Sequence, residues 1–363
     1  MNIIILLLVF VILFLLGFRY RNSKIVFYFQ GLCIWLFVGF NTGGVDYQIN
    51  ESIFMNSFAT KFGGDSIAQS LCNFFRIHGY SFETYNIITT LVAIVIIMYV
   101  IKKSTQNFAM IFSFCLLYPL VDFVIQKRYF LAMSIVVLAL YFYLKEGVKN
   151  KVIFTILIIV AFGFHSSTIV YLVFLFIDII RPKYRMILLL LATIISLGAV
   201  DYLPLLLNKL NFIPSDKINL YFYELKKSSS IAKSLFWILW QLSNYLIVFY
   251  FSKKLSENND ISKNMKNALE LNKYALIILP LYVFDPVFTR LYRPIIIFTY
   301  IAIADEVNYK KGKKKEHSYF LSCGLVMAFC SFIIFYIITG LGFYEQVITL
   351  FENNSFYDLF KFV

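Results

Sequence analysis

Apolar residues run almost unbroken along most of this chain, and polar residues come in short clusters between the runs. The runs show neither the 3.6-residue period of an amphipathic helix nor the alternation of a half-buried strand. A bilayer core needs about 17–25 apolar residues per helix. About twelve such candidates lie near 2–18, 25–40, 86–101, 106–120, 129–144, 152–164, 167–180, 186–203, 234–251, 274–288, 294–304 and 318–339. Several are short for a simple crossing, which predicts tilted, broken or re-entrant helices. The predicted architecture is an all-α polytopic membrane protein, with residues 1–363 as one integral membrane domain and no separate soluble domain.

Composition agrees. Hydrophobic residues make up 60% of the chain and charged ones 15%, with a mean hydropathy of +0.77, whereas soluble domains are about a quarter charged. The net charge is +13, but a nucleic-acid partner is excluded because the charges do not gather on a solvated face. The first apolar run lacks a positive leader and a small-residue cleavage site, so it reads as a span rather than a signal peptide. Arg19, Arg21 and Lys24 follow it and hold its far end in the cytoplasm. With alternating topology from there, 21 of the 33 basic residues fall inside and 12 outside, while acidic residues split 8 and 12. The inner face then carries the whole excess, as the positive-inside rule requires.

Five cysteines show no disulfide or metal spacing, and no internal repeat is visible. Walker A, G-x-G-x-x-G, H-E-x-x-H and paired-Cys zinc patterns are missing, so no cofactor and no metal is expected. Almost no charge falls within a span, which weighs against an ion-coupled carrier.

Polar chemistry collects instead at the outer helix mouths. These hold Asn41-Thr42-Gly43-Gly44-Val45-Asp46-Tyr47; Arg76 and His78; Asp122 and Gln126-Lys127-Arg128-Tyr129; His165-Ser166-Ser167; and Asp285-Pro286 with Arg290 and Arg293. Spans 129–144 and 152–164 form a hairpin turning at Lys145–Lys151. Arg128 lies 17 residues before that cluster and His165 14 after it. At a rise of about 1.5 Å per residue both return to a similar depth, close enough across packed helices to face one cavity. Arg290 and Arg293 share a helix side and suit a two-pronged diphosphate clamp. Plainer roles exist for each: headgroup anchors for the arginines, a capping residue in a turn for His165, an ordinary turn residue for Asp46. Residues 204–233 add a predicted amphipathic helix on the outer surface. It starts at Pro214-Ser215-Asp216, repeats Ile218, Tyr221, Phe222 and Leu225, and closes on Lys226 and Lys227. It reads as a lid, an acceptor guide or a passive interfacial helix.

Three stretches carry a resemblance. Asn41–Tyr47 resembles a "G-x-D-Y" outer-loop motif, Gln126–Ala132 an "x-R-x-x-x-A" helix start, and Ala161–Ser167 an "A-x-x-x-H-x-S" helix end. Together with the span pattern they resemble the EpsG-type branch of the Wzy polysaccharide polymerases. The motifs lie within residues 41–167, while residues 204–233 and 340–363 match nothing in that pattern.

The resemblance implies a GT-C-like helical bundle in the bacterial cytoplasmic membrane, with its active site facing outside. It implies a glycosyltransferase that extends capsule, exopolysaccharide or O-antigen chains. The partners would be an undecaprenyl-diphosphate-linked donor, a lipid-linked acceptor, the bilayer, and the flippase and chain-length regulator of the same pathway. A diphosphate leaving group carries its own activation, so no ATP site is needed. Arg128, Arg290 and Arg293 would neutralise developing charge, with Arg128 the first choice as diphosphate ligand. His165 or Asp46 would take the acceptor proton, His165 being preferred. Arg76, His78, Lys127 and Tyr129 would line the same cavity. The alternatives are a lipid-linked-glycan flippase and another outer-face transferase such as a glycan ligase.

Overall fold

The computed structural model describes residues 3–44, 46–58, 63–210, 215–228, 230–257, 261–309, 314–338 and 342–355. The expectations on Val45 and Pro214, and on the side chains of Asp216 and Lys227, lie outside what is described.

Among its described residues the chain is mostly helical. Its α-helices are α1 (Ile3–Arg19), α2 (Lys24–Gly39), α3 (Tyr47–Met55), α4 (Ser66–Ile77), α5 (Phe82–Ser104), α6 (Phe108–Leu117), α7 (Leu120–Ile125), α8 (Lys127–Tyr143), α9 (Val148–Phe164) and α10 (Val173–Ile179). They continue as α11 (Pro182–Gly198), α12 (Leu203–Leu210), α13 (Ser215–Asn219), α14 (Leu225–Ser228), α15 (Ile231–Glu257), α16 (Lys263–Tyr274), α17 (Arg293–Tyr309), α18 (Lys314–Ile333) and α19 (Thr349–Glu352). Among the described residues there is no strand, only one bridge between Asn41 and Asn354.

Among the described residues four helical stretches are long and apolar enough to cross a membrane: Phe82–Ser104, Ile231–Glu257, Pro286–Val307 and Tyr319–Ile338. A fifth is the pair α11–α12 if it counts as one span bent by 92°. Several of the predicted spans are therefore short or broken, for reasons written in the sequence. The run 106–120 splits at Pro119 into α6 and α7. The run 274–288 carries Pro280, which lacks the N–H an α-helix needs, and Ala275–Val283 is a 3-10 helix. After α9 the backbone goes extended at His165, and Ser166–Leu172 is again 3-10. Long 3-10 stretches are uncommon and mark hinges or functional sites; here they flank one face of the bundle.

Helices α8 and α17 occupy the middle. Nearly all of α17 is buried, and α8 is buried on most sides, whereas about half of α5 faces outward. In a bilayer, burial between helices yields packing rather than hydrophobic free energy, so close approach matters. Gly163 shows this: a Cβ there would lie 2.4 Å from Ile67, so glycine lets α4 press against α9. Aromatic rings fill the interior, with Phe27 stacked on Phe112 and Phe114 on Tyr300. Each such pair contributes about 0.5–1.5 kcal/mol beyond its burial.

The hairpin anticipated from the sequence is present. Helices α8 and α9 pack along each other, and Gly147 in the turn sits at φ +110°, where a side chain would be strained. The start of α8 and the end of α9 thus lie at the same end of the bundle. The segment 215–228 is helical too, in three pieces with a π-helical middle, Leu220–Glu224. It does more than lie on a surface: Ile218 and Phe222 are buried, and the Phe222 ring packs on Phe284 and Phe288.

Candidate active site

Four segments distant in sequence meet at the α8–α9 end. Asp46 stands before α3, yet its side chain makes no capping bond. It lies within electrostatic reach of both Arg290 and Arg128. Burial raises the Asp46 carboxyl above its ordinary range, while Arg290 and then Arg128 pull it partly back.

The loop that presents Asp46 is braced from two sides. The Lys127 ammonium donates to the Asn41 carbonyl and lies 5.3 Å from the Tyr47 ring centroid. From the far end of the chain, the Thr42 amide donates to the Asn353 carbonyl (2.9 Å) and the Ser355 amide to the Phe40 carbonyl (2.9 Å). Lys127 is therefore buried and braces the loop through a backbone partner, and it also lines the crevice next to Arg128.

His165 ends α9. Its Nδ1 accepts from the Ser167 amide (3.4 Å) and bonds the Ser167 hydroxyl (2.9 Å). A backbone N–H can only donate, so Nδ1 carries a lone pair and the neutral ring holds its proton on Nε2. Burial lowers the His165 pKa well below its usual value, and Arg290 and Arg128 push it the same way. The ring is thus neutral, and what it offers a ligand is a donor, not a base. The plain capping role and a site role coexist in one imidazole.

Asp65, which no sequence signal singled out, fixes this turn. Its backbone is left-handed (φ 67°), its amide donates to the Phe162 carbonyl (3.1 Å), and its carboxylate accepts from the Ser166 amide (3.2 Å).

Arg290 lies in the 3-10 segment Pro286–Tyr292, which Asp285 caps by accepting from the Val287 amide (2.7 Å). Two tyrosines pin the segment: Tyr129 donates to the Arg290 carbonyl (2.6 Å) and Tyr171 to the Leu291 carbonyl. The Arg290 guanidinium sits between aromatic faces, 5.6 Å from the Tyr129 ring and 5.4 Å from that of Tyr221. It is buried, its Nε has no acceptor, and it makes no ion pair among the described residues. The Tyr129 ring also takes the His165 ring edge-on at 5.1 Å. Arg128, half-buried, has no ion pair among the described residues either, and lines a narrow crevice with Asn50, Tyr85, Asn86 and Phe164.

Arg293 differs. It pairs with buried Asp122 (2.9 Å) and bonds Gln126 (2.8 Å), while Asp122 also accepts from Tyr336 (2.9 Å). Its charge is spent inside the protein, so Arg290 and Arg293 do not form the two-pronged clamp their spacing suggested.

Arg76 and His78 are exposed near the end of α4. Arg76 bonds Asn73 and, 19 residues away, the Ser57 carbonyl, and His78 bonds the Phe74 carbonyl. Among the described residues neither makes a bond to Arg128 or Arg290. Among the described residues no group of three or more His, Cys, Asp or Glu side chains could hold a metal ion.

A helical, membrane-embedded protein therefore gathers the Asp46 carboxylate, a neutral histidine and two guanidiniums that form no ion pair among the described residues at one end of its bundle. The chain belongs to the EpsG family, whose profile matches residues 24–350. Members of that family are Wzy-type polymerases, which gives the chain a polysaccharide-polymerase type of role. No curated protein and no solved structure matches it.

Proposed function

We propose that the protein is a glycosyltransferase that lengthens a bacterial surface polysaccharide at the outer face of the cytoplasmic membrane. It moves the growing glycan from undecaprenyl diphosphate to the next lipid-linked repeat unit. The observation that carries this reading is Arg290. A buried guanidinium with carboxylates in electrostatic reach but none paired with it among the described residues is costly, and the cost is met when an anion binds. A lipid diphosphate is an anion that arrives from the bilayer.

The chemistry follows from the residues. The bond between the anomeric carbon and the diphosphate oxygen breaks, and an acceptor hydroxyl oxygen forms the new glycosidic bond. The hydroxyl proton passes to Asp46, the carboxylate beside both arginines. Negative charge grows on the leaving diphosphate, where Arg290 and Arg128 stabilise it and the His165 Nε2–H donates to a phosphate oxygen. Removing one preorganised donor of this kind typically costs 10²–10³ in rate. The base role thus falls to Asp46 instead of His165, because the Ser167 amide occupies Nδ1.

The flippase reading uses the same arginines but requires the opposite end of the bundle to open. There, Lys151 and Arg185 both pair with Asp178, which also accepts from Tyr274, tying α9, α10, α11 and α16 together. That network favours the transferase. The test is purified protein in liposomes with a lipid-linked repeat unit. A ladder of longer glycans is expected; repeat units crossing the bilayer without a ladder would refute the reading.

A further inference from the structure

A second cavity, of about 600 Å³, opens between α11, α12 and the 3-10 segments Ser166–Leu172 and Ala275–Val283. Val170, Ala199, Leu206, Ile277 and Leu281 are among its walls. It exists because α12 turns 92° away from α11 and leaves unfilled the space a straight helix would occupy. Its lining is almost wholly apolar, with Lys209 as the one charged member. Leu191, Ile194, Leu205 and Leu206 on α11 and α12 are exposed, so this side of the protein faces lipid.

We propose that this cavity receives the isoprenoid chain of a polyprenyl diphosphate whose head is held at Arg290. The proposal rests on the transferase reading above. Continuity with the polar site decides the occupant. The wall containing Val170 belongs to the segment that begins directly after His165, and the neighbouring Tyr171 is bonded to the carbonyl of Leu291. The wall containing Ile277 and Leu281 runs through Asp285 into the segment that carries Arg290. Two segments that wall the apolar cavity therefore run on along the chain into the His165 turn and the Arg290 segment. A phospholipid anchors its phosphate at the membrane surface, whereas a lipid diphosphate can place its head on a buried cation and leave its first isoprene units in an adjoining apolar space. The volume lies within the range of about 300–1,000 Å³ usual for ligand sites, enough for the part of the chain nearest the head while the rest stays in the bilayer.

The test uses the full-length protein in nanodiscs and a polyprenyl diphosphate carrying a photoreactive group in its head-proximal isoprene units. Cross-links are expected on residues lining the cavity, such as Val170, Ala199 or Leu281. Ala199→Trp should fill the space, abolish that labelling and raise the KM for a long-chain glycan donor by about tenfold, a factor worth 1.4 kcal/mol. The KM for a donor in which a methyl group replaces the isoprenoid chain on the same glycan diphosphate should stay unchanged. Leu281→Trp is a second variant in case the first fails to fold, and Val95→Trp, on an exposed face of α5, should alter neither constant. Labelling elsewhere overturns the proposal. So does a phospholipid with the same photoreactive group that labels the cavity undiminished by excess polyprenyl diphosphate, or an equal KM rise for both donors. Cavity labelling by the lipid diphosphate without any glycosidic bond formed would defeat the transferase reading and leave the cavity assignment standing.

Discussion

Tyr129 and Arg290 meet twice: the tyrosine hydroxyl donates to the arginine carbonyl at 2.6 Å, and the guanidinium lies 5.6 Å from the tyrosine ring centroid. One residue fixes both the backbone that carries the cation and the face on which the cation rests. Removing only the hydroxyl, as in Tyr129→Phe, should cost about 1 kcal/mol of positioning and a several-fold fall in glycan extension rate. Tyr129→Ala also removes the ring and should cost at least tenfold more. Initial rates of extension with a fixed lipid-linked donor check both.

The two arginines of the sequence Arg290-Leu291-Tyr292-Arg293 should separate cleanly. Arg293→Met leaves Asp122 charged and buried and should destabilise the protein by about 3–5 kcal/mol. Arg290→Met removes an unpaired buried charge, so it should leave the unfolding temperature unchanged or higher while extension activity is lost, a trade-off expected at functional sites. Thermal unfolding in detergent, read beside activity, distinguishes them; a matching loss of stability in both variants would contradict the assignment.

The pH profile follows from two opposite shifts. Burial and two positive neighbours lower His165, so its ring is already neutral at and below its ordinary pKa of about 6.5. Its protonation therefore adds no fall in rate near that pH. Burial raises Asp46, so a base that must be ionised begins to fail above the ordinary carboxylate value of about 3.9. His165 should therefore add no inflection near pH 6.5, and rates should fall on a single acid limb lying above the ordinary carboxylate value, which vanishes with most of the activity in Asp46→Asn. His165→Gln, which keeps an N–H donor, should retain more activity than His165→Ala; equal losses would refute the donor role.

The last described stretch of the chain works on the site from a distance. Asn354 donates to the Phe37 carbonyl at 2.9 Å, and its neighbours bond Phe40 and Thr42. Deleting residues 342–363 should loosen the loop that presents Asp46 and lower kcat more than it raises KM. Asn354→Ala should move both in the same direction by a smaller amount, measured as steady-state extension kinetics.

Much of this was legible in the residues. The hairpin of α8 and α9 follows from two apolar runs around a lysine cluster, and it brings Arg128 and His165 to one end. Asp46 and Arg290 join them, and they too stood out as polar groups at helix mouths. What the sequence hid depends on partners far along the chain. Nothing in Arg293 reveals that Asp122 neutralises it, and a lone Asp65 reads like any loop aspartate until its left-handed backbone and its bond to Ser166 are seen. The repeat of Ile218, Tyr221 and Phe222 predicted a helix correctly but assigned its apolar face to the membrane surface, whereas Phe284 and Phe288 take it up. Twelve apolar runs overstate the long helices because Pro119 and Pro280 fall within runs that hydropathy alone reads as continuous.

The most direct test of the account is the stoichiometry and arginine dependence of diphosphate release. Purified protein with a lipid-linked repeat unit should release one polyprenyl diphosphate for each glycosidic bond formed, and Arg290→Ala should slow both together by about 10²–10³. Glycan extension by Arg290→Ala at the unaltered rate, or diphosphate release without bond formation, would contradict it.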